Sequence, residues 1–312
     1  MNNAFIFPGQ GSQYIGMGKN LYENFRSAKD VIDEVDDALN LKISKIMFEG
    51  PEDLLLETEN AQVAIMAVSM AGIRVLEEAL GVKYNEICNL SAGHSLGQYS
   101  AMCAGNCFLL ADCAKILRKR GELMKECGDR NKGSMAAIIG AKEEQFSTIL
   151  KEASQYGIVQ LANDNSNTQK VISGIEEAID YSVLRFKALG IKAVKLRVSS
   201  AFHSELMREA SVNMDAFLRN VSIRDSESFI IDNVSLKESK DGGFLKEALV
   251  LQIPGTVLWK GTMDIIASKA SRVLEVGPGK VLSSLFRSSH PELSIVSISS
   301  AADIEAFCKE SR

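Results

Sequence analysis

Several residue types are scarce in this sequence, and each shortage excludes something. Five prolines in 312 residues leave little room for disordered linkers, and no low-complexity tract or internal repeat interrupts the chain. The six cysteines, at 88, 103, 107, 113, 127 and 308, contain no CxxC pair. Cys103, Cys107 and Cys113 fall in an apolar helical stretch, where thiols act as small hydrophobes, so neither a zinc site nor a disulfide framework is expected. Positive charge is not in excess: 35 Lys and Arg against 40 Asp and Glu give a net charge of -5, which argues against a nucleic-acid partner. An acidic protein partner would need a local basic patch. The longest apolar tract, Ala61 to Leu80, carries Gln62, Ser69, Arg74, Glu77 and Glu78. It reads as a buried helix ending at Gly81, not as a membrane span. The N-terminus lacks the basic start and apolar run of a signal peptide, so a cytoplasmic protein with no membrane partner is expected.

What is present is ordinary for a folded domain: 46% hydrophobic and 24% charged residues, enough for one large domain with a smaller insert. Ala4-Phe5-Ile6-Phe7 reads as a buried strand entering the glycine-rich loop Pro8-Gly9-Gln10-Gly11-Ser12-Gln13. Alternating helical stretches and short apolar strands then continue to about residue 128, the pattern of an α/β fold with a parallel sheet. From Gly133 the order changes. A strand (Met135 to Ile139), a helix (Glu143 to Tyr156), two strands (Ile158 to Ala162 and Lys170 to Ser173), a helix (Glu176 to Leu189) and a strand (Ala193 to Ser199) give βαββαβ, the ferredoxin-like order. Residues 132–199 are therefore expected to form an inserted ferredoxin-like subdomain, with 1–131 and 200–312 forming the large α/β domain. That domain resumes with a strand at Phe229 to Ile231, a helix near Phe244 to Gln252, and a strand at Arg272 to Val276. Gly277-Pro278-Gly279-Lys280 lacks the GxxxxGK[ST] spacing of a phosphate loop and reads as a tight strand-to-helix turn.

The strongest chemical signal is Gly93-His94-Ser95-Leu96-Gly97, a GxSxG between a short strand and an alanine-rich helix. This is the setting of a nucleophile elbow, where two glycines let strand and helix approach and leave Ser95 exposed in a strained turn. The Leu96 amide then lies at a helix N-terminus, able to hold a developing oxyanion. GxSxG alone does not decide the matter, and a serine hydroxyl needs a base. Only three histidines are present. His94 adjoins the nucleophile and should point away from its hydroxyl, and His290 lies in a polar, surface-type segment. His203, in Ser200-Ala201-Phe202-His203-Ser204, is left as the candidate base, with a satisfied loop histidine as the alternative.

Four motifs, FPGQGSQ at 7–13, GHSLG at 93–97, AFHS at 201–204 and EVGPGK at 275–280, together resemble the malonyl-CoA:acyl carrier protein transacylases over nearly the whole chain. MAAIIG at 135–140 and the NxN of Asn163 and Asn165 extend the likeness through the insert. The resemblance implies a hydrolase-like large domain with a parallel sheet, and transfer of a malonyl group from malonyl-CoA to the phosphopantetheine thiol of acyl carrier protein by a ping-pong route. Ser95 would be the nucleophile and His203 the general base, with the amides of Gln10 and Leu96 forming the oxyanion hole. Arg120 would grip the malonyl carboxylate, the Gln252 backbone carbonyl would orient the histidine, and Phe202 and Asn165 would contact substrate. No metal or cofactor is implied, coenzyme A entering as substrate, and a monomer is expected. Two positions depart from the pattern: Gln98 stands where many relatives have glutamate, and Phe202 where some have serine. Lys195 and Arg197 alternate with Val194, Leu196 and Val198, which suggests an outward basic pair for the carrier protein and an inward apolar face. A polyketide acyltransferase, an acyl hydrolase on carrier proteins and an inactive carrier-binding scaffold are the competing readings.

Overall fold

Along Ala4-Phe5-Ile6-Phe7 the side chains alternate, Phe5 and Phe7 entering one apolar cluster and Ala4 and Ile6 another, so this strand has no solvent face. The computed structural model, which describes residues 3–198 and 200–310, places that segment inside the larger of two sheets. Its strands are β1 (Asn3–Phe7), β2 (Leu90–Gly93), β3 (Ser134–Ile139), β4 (Val159–Asp164), β5 (Gln169–Gly174), β6 (Lys192–Lys195), β7 (Phe229–Ile231), β8 (Glu238–Ser239), β9 (Arg272–Val276) and β10 (Ser294–Ile298). The larger sheet runs β10-β9-β1-β2-β7-β8, every pairing parallel except β7 with β8. A parallel sheet needs cover on both faces. The helices Arg26–Leu39, Thr58–Leu80 and Leu110–Arg130 pack with the Phe5 side, and Trp259–Lys269 and Val281–Ser289 with the Ile6 side.

The helix Thr58–Leu80 holds the tract that reads as too polar to span a membrane, and it ends at Gly81 with φ 70°. Among the described residues, no helix is long and apolar enough to cross a bilayer. All six cysteines are free thiols.

The second sheet, β4-β5-β3-β6, is antiparallel throughout, with the strand order of the ferredoxin-like arrangement. Helices Glu143–Ala153 and Glu176–Ala188 cover one face through Phe146, Ile149, Ile179 and Phe186. From the opposite face Met135 and Val171 join the core of the larger unit. The Asp164 amide donates to the Val257 carbonyl, and the Val257 amide to the Ala162 carbonyl, which ties β4 to the larger unit.

The expected last strand of the insert is corrected. β6 ends at Lys195, and Ser199 lies outside the described residues. Val194 is exposed and does not face inward; Ala193, packed with Phe146 and Phe186 under the two helices, is the buried residue of β6. β8 and β10, too short or too polar to stand out as apolar runs, were not expected from the sequence.

Candidate active site

Two glycines shape the turn at Ser95. A Cβ on Gly93 would lie 1.9 Å from the Gly97 carbonyl carbon, and one on Gly97 2.2 Å from the Phe7 carbonyl oxygen. No side chain fits at either position, so strand β2 and the helix Gly97–Ala104 meet closely. Ser95 is held between them at φ 53°, in the left-handed region that non-glycine residues seldom adopt. Its amide donates to Asn233 Oδ1 at 2.8 Å, and its carbonyl accepts from Gln252 Nε2 at 3.1 Å.

His203 also has positive φ, at 55°. Its Nδ1–H is shared between the carbonyls of Gln252 at 2.9 Å and Gly255 at 3.1 Å. Two carbonyl acceptors fix the tautomer, so Nε2 carries the lone pair and accepts from Ser95 Oγ at 2.8 Å. Burial first, then the charge of Arg120, then His94 push the His203 pKa down to about 3. The imidazole is therefore neutral at pH 7, the form a base requires. The orienting group is backbone, and among the described residues no carboxylate completes a triad at this histidine.

Arg120 projects from the helix Leu110–Arg130 and is 1% exposed. It donates to Gln62 Oε1 at 2.7 Å, Gln252 Oε1 at 3.0 Å and Ser95 Oγ at 3.1 Å, and lies over the Tyr99 ring. Every one of these partners is neutral. Its Nε has no hydrogen-bond partner, and among the described residues it forms no ion pair. Its neighbour Arg118, by contrast, pairs with Glu122 in the usual surface manner. Burial lowers the Arg120 pKa from its ordinary value, yet a guanidinium stays protonated.

The cavity beside these groups measures about 340 Å³ and is lined by Gln10, Ser95, Arg120, Asn163, Phe202 and His203, among others. The amides of Gln10 and Leu96 donate no hydrogen bond within the described structure. Asn165 does not line this cavity. It accepts from His94 Nε2 at 3.0 Å and donates to Gln169 at 3.1 Å, and together with Asn163 it faces an adjoining space of about 210 Å³. Burial lowers the His94 pKa, its ring packs edge-on to Trp259, and its Nε2 is engaged by Asn165. His290 pairs with Asp264 and Glu292, far in chemistry from any nucleophile. The Gly277-Pro278-Gly279 turn joins β9 to the helix Val281–Ser289. The buried Glu275 just before it accepts from the amides of Leu282 and Ser283 at 3.1 and 2.7 Å.

Four residues of the site had no assigned part in the sequence. Asn233 clamps the elbow, bonding the Ser95 amide and the Gly93 carbonyl. Gln98 accepts from the Asn233 amide at 3.1 Å and from Gln252 Nε2 at 2.9 Å. Gln62 faces Arg120, and Gly255 shares the histidine N–H. A glutamine inside the apolar tract was the one available hint for Gln62; Asn233 follows a short strand and carries no local signature. The expected basic pair is divided: Lys195 is bound to Glu176 and Asp180 of its own subdomain, whereas Arg197 lines the cavity that holds Ser95.

A strained serine at a strand-to-helix elbow, a neutral histidine on its hydroxyl and two free amides beside a cavity define a class, the serine-dependent acyl transferases. The family model described as acyl transferase domain matches residues 4–291. Malonyl CoA-acyl carrier protein transacylase of Bacillus subtilis (strain 168) is 38% identical over 305 residues, 97% of this chain and 95% of that protein. The crystal structure of acyl-carrier-protein-S-malonyltransferase from Bartonella henselae superimposes with a TM-score of 0.95 at 43% identity, covering 99% of each chain. A malonyl-transacylase solved in complex with its type II PKS acyl-carrier protein gives 0.94 at 32%, covering 99% of this chain and 100% of that one. The chain belongs to the malonyl CoA-acyl carrier protein transacylase family.

Proposed function

We propose that this enzyme transfers a malonyl group from malonyl-CoA to the phosphopantetheine thiol of an acyl carrier protein, through an ester on Ser95, and so supplies fatty-acid synthesis. The observation that carries the choice of acyl group is Arg120, a buried guanidinium without a carboxylate, 3.1 Å from the nucleophilic oxygen. A buried cation lacking a counter-charge is costly, and a substrate carboxylate supplies one in a two-pronged geometry that suits arginine. A neutral acetyl group offers nothing there.

His203 Nε2 takes the proton as Ser95 Oγ bonds to the thioester carbon. The tetrahedral oxyanion is held by the amides of Gln10 and Leu96, donors of a kind worth roughly 10²-fold to 10³-fold each in rate. Collapse breaks the carbon–sulfur bond, and coenzyme A leaves with the proton from His203. The carrier thiol then gives its proton to His203 and attacks the ester, regenerating Ser95. All the groups in this scheme come from the chain and the two thioesters, so no cofactor enters it. Phe202 would wall the acyl pocket. Asn165 would act at one remove, through His94. Free buried thiols and the absence of a membrane-spanning helix among the described residues support a cytoplasmic setting.

Intact-mass measurement after mixing with malonyl-CoA, then with carrier protein, tests the reading. A malonyl adduct that passes to the carrier is expected. Fast loss to water would indicate a hydrolase instead, and discharge only onto a polyketide carrier would move the enzyme to that pathway. No adduct at all would overturn the proposal.

A further inference from the structure

His203 depends on two stretches of backbone, and the inserted subdomain reaches both. Its own φ of 55° is a conformation that persists only where the surroundings over-determine it. Its Nδ1–H rests on the carbonyl of Gln252, the last residue of the helix Gly242–Gln252, and on that of Gly255 in the turn that follows. The helix fixes the first carbonyl. The second lies beyond the helix, and the residues after it are bound to β4 of the ferredoxin-like subdomain. Thr256 Oγ1 donates to the Leu161 carbonyl at 2.6 Å, the Val257 amide to the Ala162 carbonyl at 2.8 Å, and the Asp164 amide to the Val257 carbonyl at 2.9 Å. The side chain of Gln160, half-buried on the same strand, spans the two stretches. Its Oε1 accepts from the Glu205 amide at 3.0 Å, and its Nε2 group is divided between the carbonyls of His203 at 3.5 Å and Pro254 at 3.4 Å. One amide thus ties the loop that carries the ring to the turn that carries its acceptor.

We infer that Gln160 is a positioning residue for the general base, and that the insert, through this side chain and the pairing of β4 with residues 256–257, sets the direction of the His203 ring; this rests on the reading of His203 as the base. Gln160 does not line the cavity that holds Ser95, so its effect passes through the histidine. An apolar side chain of the same length would fill the space but leave the Glu205 amide and two carbonyls without their partner. The left-handed residue then loses a brace on its C-terminal side, and Nε2 can leave the line to Ser95 Oγ that it now meets at 2.8 Å. The base serves every acyl donor, so the loss falls equally on malonyl and acetyl groups. Arg120, by contrast, acts on the choice between them. The ferredoxin-like subdomain is on this reading part of the proton-transfer machinery as well as a wall of the cleft.

The test measures single-turnover acylation of Ser95 by intact mass, with malonyl-CoA and with acetyl-CoA, in Gln160→Met, Thr256→Val, His203→Gln and the double variant Gln160→Met/His203→Gln. Gln160→Met should slow acylation on the order of 10-fold, part of the loss that a displacement of about 1 Å can cause. The malonyl-CoA concentration giving half the maximal rate and the final amount of adduct should stay as in the parent, with the malonyl-to-acetyl ratio within about 2-fold of it. In the His203→Gln background the same change should cost less than about 2-fold, because the group it positions is gone. Thr256→Val, which removes only the hydroxyl bond to β4, should follow the same pattern at about 3-fold, the scale of one neutral hydrogen bond. An unchanged rate in Gln160→Met, or an equal loss with and without His203, overturns the proposal and leaves Gln160 a structural residue. Should Gln160→Met not fold, the same outcomes in Thr256→Val decide. Acylation at the parent rate in His203→Gln overturns instead the reading of His203 as the base.

Discussion

Arg120 and Glu275 are both buried charges in the large domain, and they are treated in opposite ways. Glu275, 0% exposed, receives two backbone N–H groups at the start of the helix Val281–Ser289, whose dipole favours an anion. Burial still raises its pKa, but every visible need of the carboxylate is met by its own chain. Arg120 receives only neutral amide and hydroxyl oxygens, keeps one N–H unpaired, and lines the cavity. A charge whose partners are all supplied by the fold serves the fold. One whose counter-charge is missing is waiting for a ligand, and its cost in stability is the mark of a binding site.

The sharpest break of this comparison removes the group both substrates react with. Ser95→Ala should abolish the acyl adduct, with transfer falling by ~10⁴-fold or more while the fold is kept, as read by intact mass and circular dichroism. Arg120→Met should come next, lowering malonyl acylation by ~10²-fold and sparing acetyl acylation, with a melting temperature at or above that of the parent because an unpaired buried charge is gone. A marked fall in melting temperature would place Arg120 with Glu275 as a structural charge. Glu275→Ala should show the reverse pattern: a loss of about 1–3 kcal/mol in denaturant unfolding, from two stranded N–H groups, with turnover per folded molecule unchanged. Smallest is the acid response. His203 is held at about 3 when folded against about 6.5 when unfolded, and His94 is lowered as well, so as pH falls the unfolded chain takes up protons first. The stability tied to these rings is present above pH ~6.5 and is lost progressively toward pH ~3. The drop in melting temperature between pH 7.5 and 5 should therefore be smaller in His203→Gln than in the parent.

The sequence announced those parts of the site that depend on local backbone demands. Gly93 and Gly97 must be glycine because of a contact between adjacent elements, so the elbow can be read from five residues. The ferredoxin-like order shows in the alternation of apolar runs, since each strand there carries its own pattern. The clamp around the elbow is different. Asn233, Gln98, Gln252 and Gln62 are ordinary polar residues separated by tens to more than a hundred positions, joined only when β7 pairs with β2 and the helices close over them. Gln98 stands out as a departure beside the GHSLG motif, Gln252 through the resemblance and Gln62 as a glutamine in an apolar tract, but nothing around Asn233 marks it, and nothing local shows that the four meet. Lys195 shows the converse. Its alternation with valines suggested a free basic face, but Glu176 and Asp180, on the helix preceding β6, neutralise it.

The left-handed backbone at Ser95 also restricts the chemistry open to this lineage. Threonine carries the same hydroxyl, but its branched Cβ crowds the backbone at φ 53°, and the glycines on either side leave no slack to relax it. Cysteine has no such branch and fits. Of the two single-step replacements that retain a nucleophile, the fold admits the one that would turn an ester intermediate into a thioester, and refuses the one that would have kept it an ester.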